Sequence, residues 1–409
     1  MQALLIASFA MSGRVEAACT PASPVNNTIV TCSGRTTNQN GTNGYGTVND
    51  NNNTYNIQAG ATVTGDGFGV VFGTGATVNN HGTITGSIGI SGSDATINNT
   101  STGVITGDTN GIQATTATVR NAGLISAMGV SAVGGNGVGI SADTADVNNT
   151  STGHITGTFS GIGTSTLAAV NNAGAISGGR LGIAGDTAGV INSGAITAGS
   201  AAISASTANV TSSGAGTISG GTFGIVANTV ASIANDGIIL GKTGIQAGGA
   251  ATITNSSAII STAGASGTAI KLSNAADTLT LRTGSRIVGL VDMGFGNDTV
   301  NTVTVAPGSK VSSPATAAAL PTFINFSGVT NTSFTGGRFT DPAVQAGNQL
   351  ATLGPTALAA DRPRLDGLHR RACRRWCKDA SMAWRRPRTL RARQGLRYPL
   401  VLKGSKNDR

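Results

Sequence analysis

The sequence predicts an all-β fold, a right-handed parallel β-helix in which each rung takes about 20 to 22 residues. Three observations predict this solenoid. A strand pattern recurs at even intervals, the residues that could fill an interior are small or β-branched, and no stretch before residue 342 has a convincing helical period. Leucine-rich repeats have a similar length, but they need regular Leu residues, of which the body of this chain has few.

The repeat is a Val or Ile followed, at intervals of two residues, by Asn, Gly and Ile, as in Val78, Asn80, Gly82 and Ile84. An alternation of period two is typical of a β-strand. The Ile that closes each copy is found at Ile84, Ile105, Ile125, Ile155, Ile176, Ile196, Ile218, Ile239 and Ile259. A second Ile follows each of them after Gly or Ala, beginning with Ile90 and ending with Ile270. Three short strands and three turns fit this length, which predicts one rung per copy.

The composition limits what the interior can contain. Only 4% of the 409 residues are aromatic and 11% are charged, whereas 61 are Gly. We therefore expect a thin interior of Val, Ile, Ala and Thr, in which each side chain stacks on the same position of the next rung. A single rung could not fold alone, because its burial depends on its neighbours.

The Asn of each copy is predicted to form a ladder of side-chain amides along the axis. Its members are Asn80, Asn121, Asn172, Asn192, Asn235 and Asn255. The Gly two residues later is expected to let the backbone turn with a positive φ. Both residues are interpreted as structural rather than as ligand-binding.

The net charge of +9 is confined to one end of the chain. Residues 361–409 hold 16 of the 26 Lys and Arg residues but 4 of the 17 acidic residues, which leaves 10 basic and 13 acidic residues before them. The body is therefore mildly acidic, and we expect no nucleic-acid partner for it. The basic tail is interpreted as out-of-frame or disordered sequence, the alternative being a genuine segment that binds nucleic acid or anionic lipid.

The first residues suggest export. A short apolar run from Leu4 to Met11 precedes Val15-Glu16-Ala17, a site suited to signal peptidase, so residues 1–17 are predicted to be a signal peptide. Residues 18–56 are predicted to be an N-terminal cap. Cys19 and Cys32 lie within it, and they are expected to form a disulfide under the oxidising conditions that an exported protein meets.

Two insertions mark where the repeat departs from its rule. The step from Ile125 to Ile155 is 30 residues, with the extra residues before Ile140, and a smaller excess precedes Ile270. Both follow the same strand, so they are expected to emerge on the same side of the rod. Because loops on rigid scaffolds often carry binding residues, a contact loop is predicted at Met128, Val130, Val133 and Asn136. Neutral drift at a tolerant turn is the alternative.

No catalytic, cofactor-binding or metal-binding residues are predicted, and the chain is not expected to be an enzyme. A β-helix polysaccharide lyase or hydrolase is the alternative, but it would need clustered carboxylates and aromatic residues. Residues 57–311 contain no Trp, and their Asp residues are scattered singly. Gly294 to Thr299 resembles a calcium-binding turn of toxin repeats, yet it is a single copy and is interpreted as a capping turn.

Three stretches resemble the passenger and linker of autotransporters, the proteins of type V secretion. They are the Asn-x-Gly-x-Ile rungs, the segment from Thr280 to Val305, and the segment from Gln345 to Ala359. The family usually has Asp where this chain has Gly354. The resemblance implies a passenger over residues 57–311, a linker over 312–360, and a translocating barrel that would follow but is not in this sequence.

The function implied by this resemblance is that of a non-enzymatic, surface-displayed passenger, adhesin-like or structural. Its expected partners are host or abiotic surfaces or other cells, and it would be held at the outer membrane through a barrel. Without a barrel, the expected location is the periplasm. The alternatives are the polysaccharide-degrading enzyme named above and a non-functional product of a frameshifted gene, with residues 361–409 as the basic tail.

Overall fold

The computed structural model describes residues 18–129, 137–282, 284–296, 298–303 and 325–327. All of them fall in the first of two units, Met1–Leu350. The second unit, Ala351–Arg409, lies outside the described residues, as do the predicted signal peptide and the basic tail.

The chain forms a parallel β-solenoid of about 12 turns, which confirms the predicted fold class. Each turn contributes one strand to each of three columns. Column A contains the strand that ends at the repeat's Asn, such as Ala76–Asn80. Column B contains the strand around the first Ile, and column C the strand around the second Ile. In the long strand Thr83–Asn99 the chain passes through columns B, C and A without interruption.

The strands have the following bounds. They are Cys19–Thr20, Ile29–Cys32, Arg35–Thr37, Thr54–Ile57, Thr62–Thr64, Phe68–Val71, Ala76–Asn80, Thr83–Asn99, Val104–Asn121, Leu124–Ala127, Val138–Asn149, His154–Gly157, Ser160–Asn172, Ala175–Gly178, Leu181–Asn192, Ala195–Ala198, Ala201–Ser212, Thr217–Gly220, Phe223–Asn235, Ile238–Gly241, Thr243–Ala247, Ala251–Asn255, Ala258–Ser261, Thr268–Lys271, Thr278–Arg282, Arg286–Val288, Leu290–Asp292, Thr299–Val303 and Asn325–Ser327. A 3₁₀ turn, Gly264–Ser266, is the helical element of the described ranges.

The register is the one that the repeat predicts. In column B, Ile84 pairs with Ile105 and Ile105 with Ile125, and in column C, Ile90 pairs with Ile112. The nine Ile residues of column B are fully buried, as are those of column C. Ala and Val or Ile of column A complete the interior. Like side chains therefore stack from rung to rung, and each rung buries its apolar atoms only against its neighbours.

The Gly that follows the ladder Asn has a different role from the one predicted. Neither Gly82 nor Gly123 has a positive φ, so the expectation of a left-handed turn was wrong. A Cβ on Gly123 would instead meet the carbonyl oxygens of Gly103 and Thr100 in the preceding rung. The side chain is absent because two backbones approach each other closely at this corner.

The amide ladder runs through six consecutive rungs inside the solenoid. Asn80, Asn99, Asn121, Asn149, Asn172 and Asn192 are at most 2% exposed, and each of the first five donates from Nδ2 to Oδ1 of the next at 2.8 Å. The second Nδ2 hydrogen is shared between two backbone carbonyls, which for Asn149 are those of Gly153 and Ala175. Because the nitrogen faces carbonyl oxygens, the amide has one orientation that satisfies all of its groups.

The ladder has one gap, at Ser212. Asn192 donates to the carbonyls of Gly194 and Thr217, but no amide oxygen follows it. The Ser212 Oγ is buried and has no hydrogen-bond partner among the described residues. A second ladder begins one rung later, where Asn235 donates to Asn255 Oδ1 at 2.7 Å.

The N-terminal end is closed by a disulfide and a small aromatic cluster. Cys19 and Cys32 are bonded and face each other in an antiparallel pair. The rings of Tyr45, Tyr55 and Phe72 are buried together, and burial raises the pKa of Tyr55 to about 12. The parallel columns already include Ile29–Cys32 and Arg35–Thr37, inside the range 18–56 predicted as a cap.

A buried carboxylate holds this end together. Asp50 is fully buried, and it accepts hydrogen bonds from the Ser23 hydroxyl, the Val25 amide, and both the amide and the hydroxyl of Thr47. Four donors offset the cost of removing the charge from water. Asp50 therefore fixes the segment before the first rung against the loop that precedes Thr54.

Replacing Asn149 by Ala is expected to lower the free energy of unfolding by about 2 to 4 kcal/mol, because two carbonyls and two amide groups lose their buried partners. The matched control is Asn148→Ala on the same strand. Asn148 is exposed, so its loss should change stability by less than about 0.5 kcal/mol. Urea denaturation followed by circular dichroism measures both, and equal effects would show that the ladder does not stabilise the rod.

Replacing Ser212 by Asn is expected to stabilise the chain by about 1 kcal/mol, because the new amide would join the two ladders. The rung has room for it, since Ser212 and Gly216 have the same spacing as Asn149 and Gly153. The urea midpoint should rise for Ser212→Asn and not for Thr211→Asn, whose side chain faces outward. A lower midpoint for Ser212→Asn would contradict the explanation of the gap.

Candidate functional site

Both insertions emerge at the same edge of the solenoid, between columns B and C. The first separates Leu124–Ala127 from Val138–Asn149, and the second separates Ala258–Ser261 from Thr268–Lys271. This edge is called the B–C edge below.

Of the predicted contact residues, the structure describes Met128, which is 52% exposed. Its amide donates to the Gly107 carbonyl and the Gly129 amide donates to the Asp108 carbonyl, so both residues are bonded to the preceding rung. The other three, Val130, Val133 and Asn136, lie outside the described residues.

The B–C edge also carries a pair of side chains that the sequence did not single out. The guanidinium of Arg180 lies 5.5 Å from the centre of the Phe159 ring, one rung away. Such a cation–π contact covers part of the ring and holds the cation at the surface. Phe159 occupies the matching connection of the rung after the first insertion, and exposed Lys242 lies four rungs further along the same edge.

The residues that could perform chemistry are not gathered in one place. His81 is at the corner between columns A and B, and His154 begins a column B strand three rungs away. Within the part of the chain that the structure describes, no group of three or more His, Cys, Asp or Glu residues could hold a metal ion.

The turn that begins at Gly294 lies near the described end of the solenoid, between Leu290–Asp292 and Thr299–Val303. The Asp298 carboxylate accepts the Asp277 amide at 2.9 Å, and the Asp277 carboxylate accepts the Ala251 amide at 2.6 Å. Gly294 has a φ of 78°, and its amide donates to Asp292 Oδ1. The carboxylates are thus bonded to backbone amides of neighbouring rungs.

The outward face of column A has a groove that the sequence did not reveal. It has a volume of about 540 Å³ and runs along the axis from Asp146 to Thr252 and Thr254. Gly189 and Asn209 lie on its two middle rungs, and the side chain of Ile191, beside Gly189, is 59% exposed. At the matching positions of earlier rungs the chain has longer polar side chains, which are Thr96, Thr118 and Asp146 in the row of Gly189 and Asn98, Arg120 and Asn148 in the row of Ile191. That departure from the repeat is the signal that could have located the groove.

No family model matches this chain, and comparisons with curated proteins and with solved structures gave no match. In the described part of the chain, no helix has the length and apolar character needed to cross a membrane.

Burial raises the pKa of Asp277 from 3.8 to about 6, the Ala251 amide opposes that rise, and Asp298 adds to it. An acid with a raised pKa keeps its proton longer in the folded state than in the unfolded state. Its contribution to stability is therefore present below pH 3.8, decreases as the pH rises to about 6, and is lost above that value.

Asp277→Asn removes this titration while keeping an oxygen for the Ala251 amide. The difference in unfolding free energy between the variant and the parent chain should shift in favour of the variant between pH 4.5 and pH 7. Urea denaturation at both pH values measures it, and a difference that does not change with pH would contradict the assignment. Asp236→Asn, at an exposed turn, is the control.

Proposed function

We propose that this chain is a non-enzymatic, exported passenger of the autotransporter type, an adhesin-like rod that contacts surfaces through the B–C edge. The parallel β-solenoid fits such a passenger. The contacts that we propose are with host or abiotic surfaces or with other cells, and the proposed location is the cell surface, reached by way of an outer-membrane barrel.

The observation that carries this proposal is the difference between the regular interior of the solenoid and its irregular B–C edge. Inside, the Ile columns and the buried Asn side chains are bonded or packed to the next rung. The rungs hold a steady length of 20 to 22 residues wherever no insertion occurs. Both insertions nonetheless open on one edge, together with Met128, Phe159 and Arg180. Shorter, two-residue insertions lie at the corner between columns A and B, within Asn99–Gly103 and Asn149–Gly153. The two longest irregular segments are therefore on one side of a rigid scaffold, which suits binding.

The alternative is a polysaccharide lyase or hydrolase with the same fold. Cleavage of a glycosidic bond would need two carboxyl groups facing one substrate, or a base beside a neutralised carboxylate. Asp143 and Asp146 are close in sequence, but Asp143 accepts the Ser165 hydroxyl at the corner between columns C and A, while Asp146 lies on the outward face of column A. Release of reducing ends from a panel of polysaccharides would favour the enzyme.

The contact role is tested by replacing residues 128–137 with Gly-Ser, the length of the Thr158–Phe159 connection in the next rung. The variant and the parent chain are each fused to a translocating barrel and displayed on bacteria that do not adhere. Cells that display the parent chain should adhere to epithelial cells or settle on plastic. Cells that display the shortened loop should behave like cells with no passenger.

The matched control is a chain in which residues 129–136 are scrambled, so that length and composition are kept. Equal surface amounts are checked with an antibody to the rod. If adhesion survives both changes, the B–C edge does not make the contact. If the parent chain confers no adhesion, the proposed function is contradicted.

A further inference from the structure

We propose that the groove on the outward face of column A binds a linear, uncharged glycan that lies along the axis of the rod. This goes beyond the contact role of the B–C edge, because the groove is on another part of the solenoid and its binding can be measured in solution. The groove is defined by the outward residues of six rungs, from Asp146 to Thr252.

The first argument is a glycine that the fold does not require. Gly189 is in the middle of a column A strand, between Ala169 and Asn209 of the neighbouring rungs. It has no positive φ, and a Cβ built on it would approach nothing closer than the Ala168 carbonyl, at 3.9 Å. Glycine weakens a strand, and within strands it often marks a place where a ligand or another backbone approaches closely.

Two other strand glycines, Gly161 and Gly182, show a contrast. A Cβ on Gly161 or Gly182 would meet an Ile side chain and a carbonyl of the next rung, so the fold excludes side chains there. Gly189 alone among these three opens onto solvent. Its effect is to deepen the outward face, not to make room inside.

The second argument is the chemistry of the groove's sides. Asn171, Asn209, Thr211, Ser232, Thr252 and Thr254 offer amides and hydroxyls to the groove. None of these side chains has a hydrogen bond to another residue in the described ranges. Nearer the N-terminus of the same face, by contrast, Asn98 donates to Asn79 and Asn79 donates to Asn56. The groove therefore presents donors and acceptors that the protein has not used itself.

The third argument concerns charge and length, which select among occupants. Asp146, at one end, is the charged residue of the groove, so a polyanion gains no cation there and meets one like charge. Six rungs at a spacing of about 4.8 Å give a length of about 24 Å, which suits a chain of several sugars. The exposed Ile191 and the Ala169 methyl can contact the C–H faces of sugar rings, while the amides and hydroxyls bond their OH groups.

A peptide is a weaker occupant for a physical reason. Peptides that bind β-sheets pair with the backbone at a free strand edge. Here the column A strands from Val138–Asn149 to Ala251–Asn255 are already paired on both sides, so their backbone groups are used. Only side chains face the groove.

The test is isothermal titration calorimetry of the full chain with chitohexaose and with cellohexaose, both uncharged and β-linked, and with heparin fragments as the charged comparison. At least one of the uncharged sugars should bind saturably, and heparin should not. Gly189→Val fills the groove with a residue that favours strands, so the fold should be kept while the affinity falls at least about tenfold. Thr96→Val changes an outward position of the same face outside the groove, and it should bind like the parent chain.

Absence of binding by both uncharged sugars, or unchanged binding by Gly189→Val, would overturn the proposal. So would sedimentation analysis that shows the parent chain to self-associate and Gly189→Val to be monomeric, since the occupant would then be a second copy. Circular dichroism of each variant separates a lost site from a lost fold. Loss of adhesion in the shortened-loop chain with sugar binding intact would separate this proposal from the proposed function.

Discussion

The hydrogen bonds between consecutive rungs fix the register on which the rest of this structure depends. A parallel ladder pairs each residue with its equivalent in the next turn, so one choice of register places the Ile residues of columns B and C on Ile and, up to the gap at Ser212, each buried ladder Asn on Asn. A slip of one residue would turn the buried Asn149 to the outside and the exposed Asn148 to the inside. The buried amides add a directional condition to this pairing, because each Nδ2 must find the next Oδ1. Apolar stacking alone would oppose a shift in register between rungs less strongly.

Much of the solenoid could be predicted from the repeat, because the same alternation returns wherever the interior is built from Ile, Val and Asn. The first rungs could not be predicted from the repeat, because their interior residues differ from it. Their interior positions hold Val30, Cys32, Tyr45 and Tyr55, which serve as core residues but do not match the pattern. The purpose of the ladder glycines could not be inferred either, since a close approach between two rungs depends on three-dimensional distance.

The two candidate sites also differ in whether the sequence could predict them. The B–C edge was predictable, because an insertion is visible as a longer step between equivalent residues. The groove was not, because it is made by residues from six rungs, and its centre is a side chain that is missing at Gly189. A departure from a repeat at an outward position carries little weight in a sequence, where most outward positions vary. In the structure, the free space above Gly189 shows that this departure from the repeat forms part of a groove.

Export, surface contact and glycan binding are proposals about this scaffold. Its central property is the regular stacking and hydrogen bonding of interior side chains from rung to rung. That order is tested most directly by hydrogen exchange of side-chain amides, measured by nuclear magnetic resonance. If the amide ladder sets the register between rungs, the Nδ2 hydrogens of the buried Asn side chains should exchange as slowly as the backbone amides of column A; these residues are Asn99, Asn121, Asn149 and Asn172. The Nδ2 hydrogens of Asn148 should exchange rapidly. Exchange at equal rates for the inward and outward Asn side chains would contradict the account.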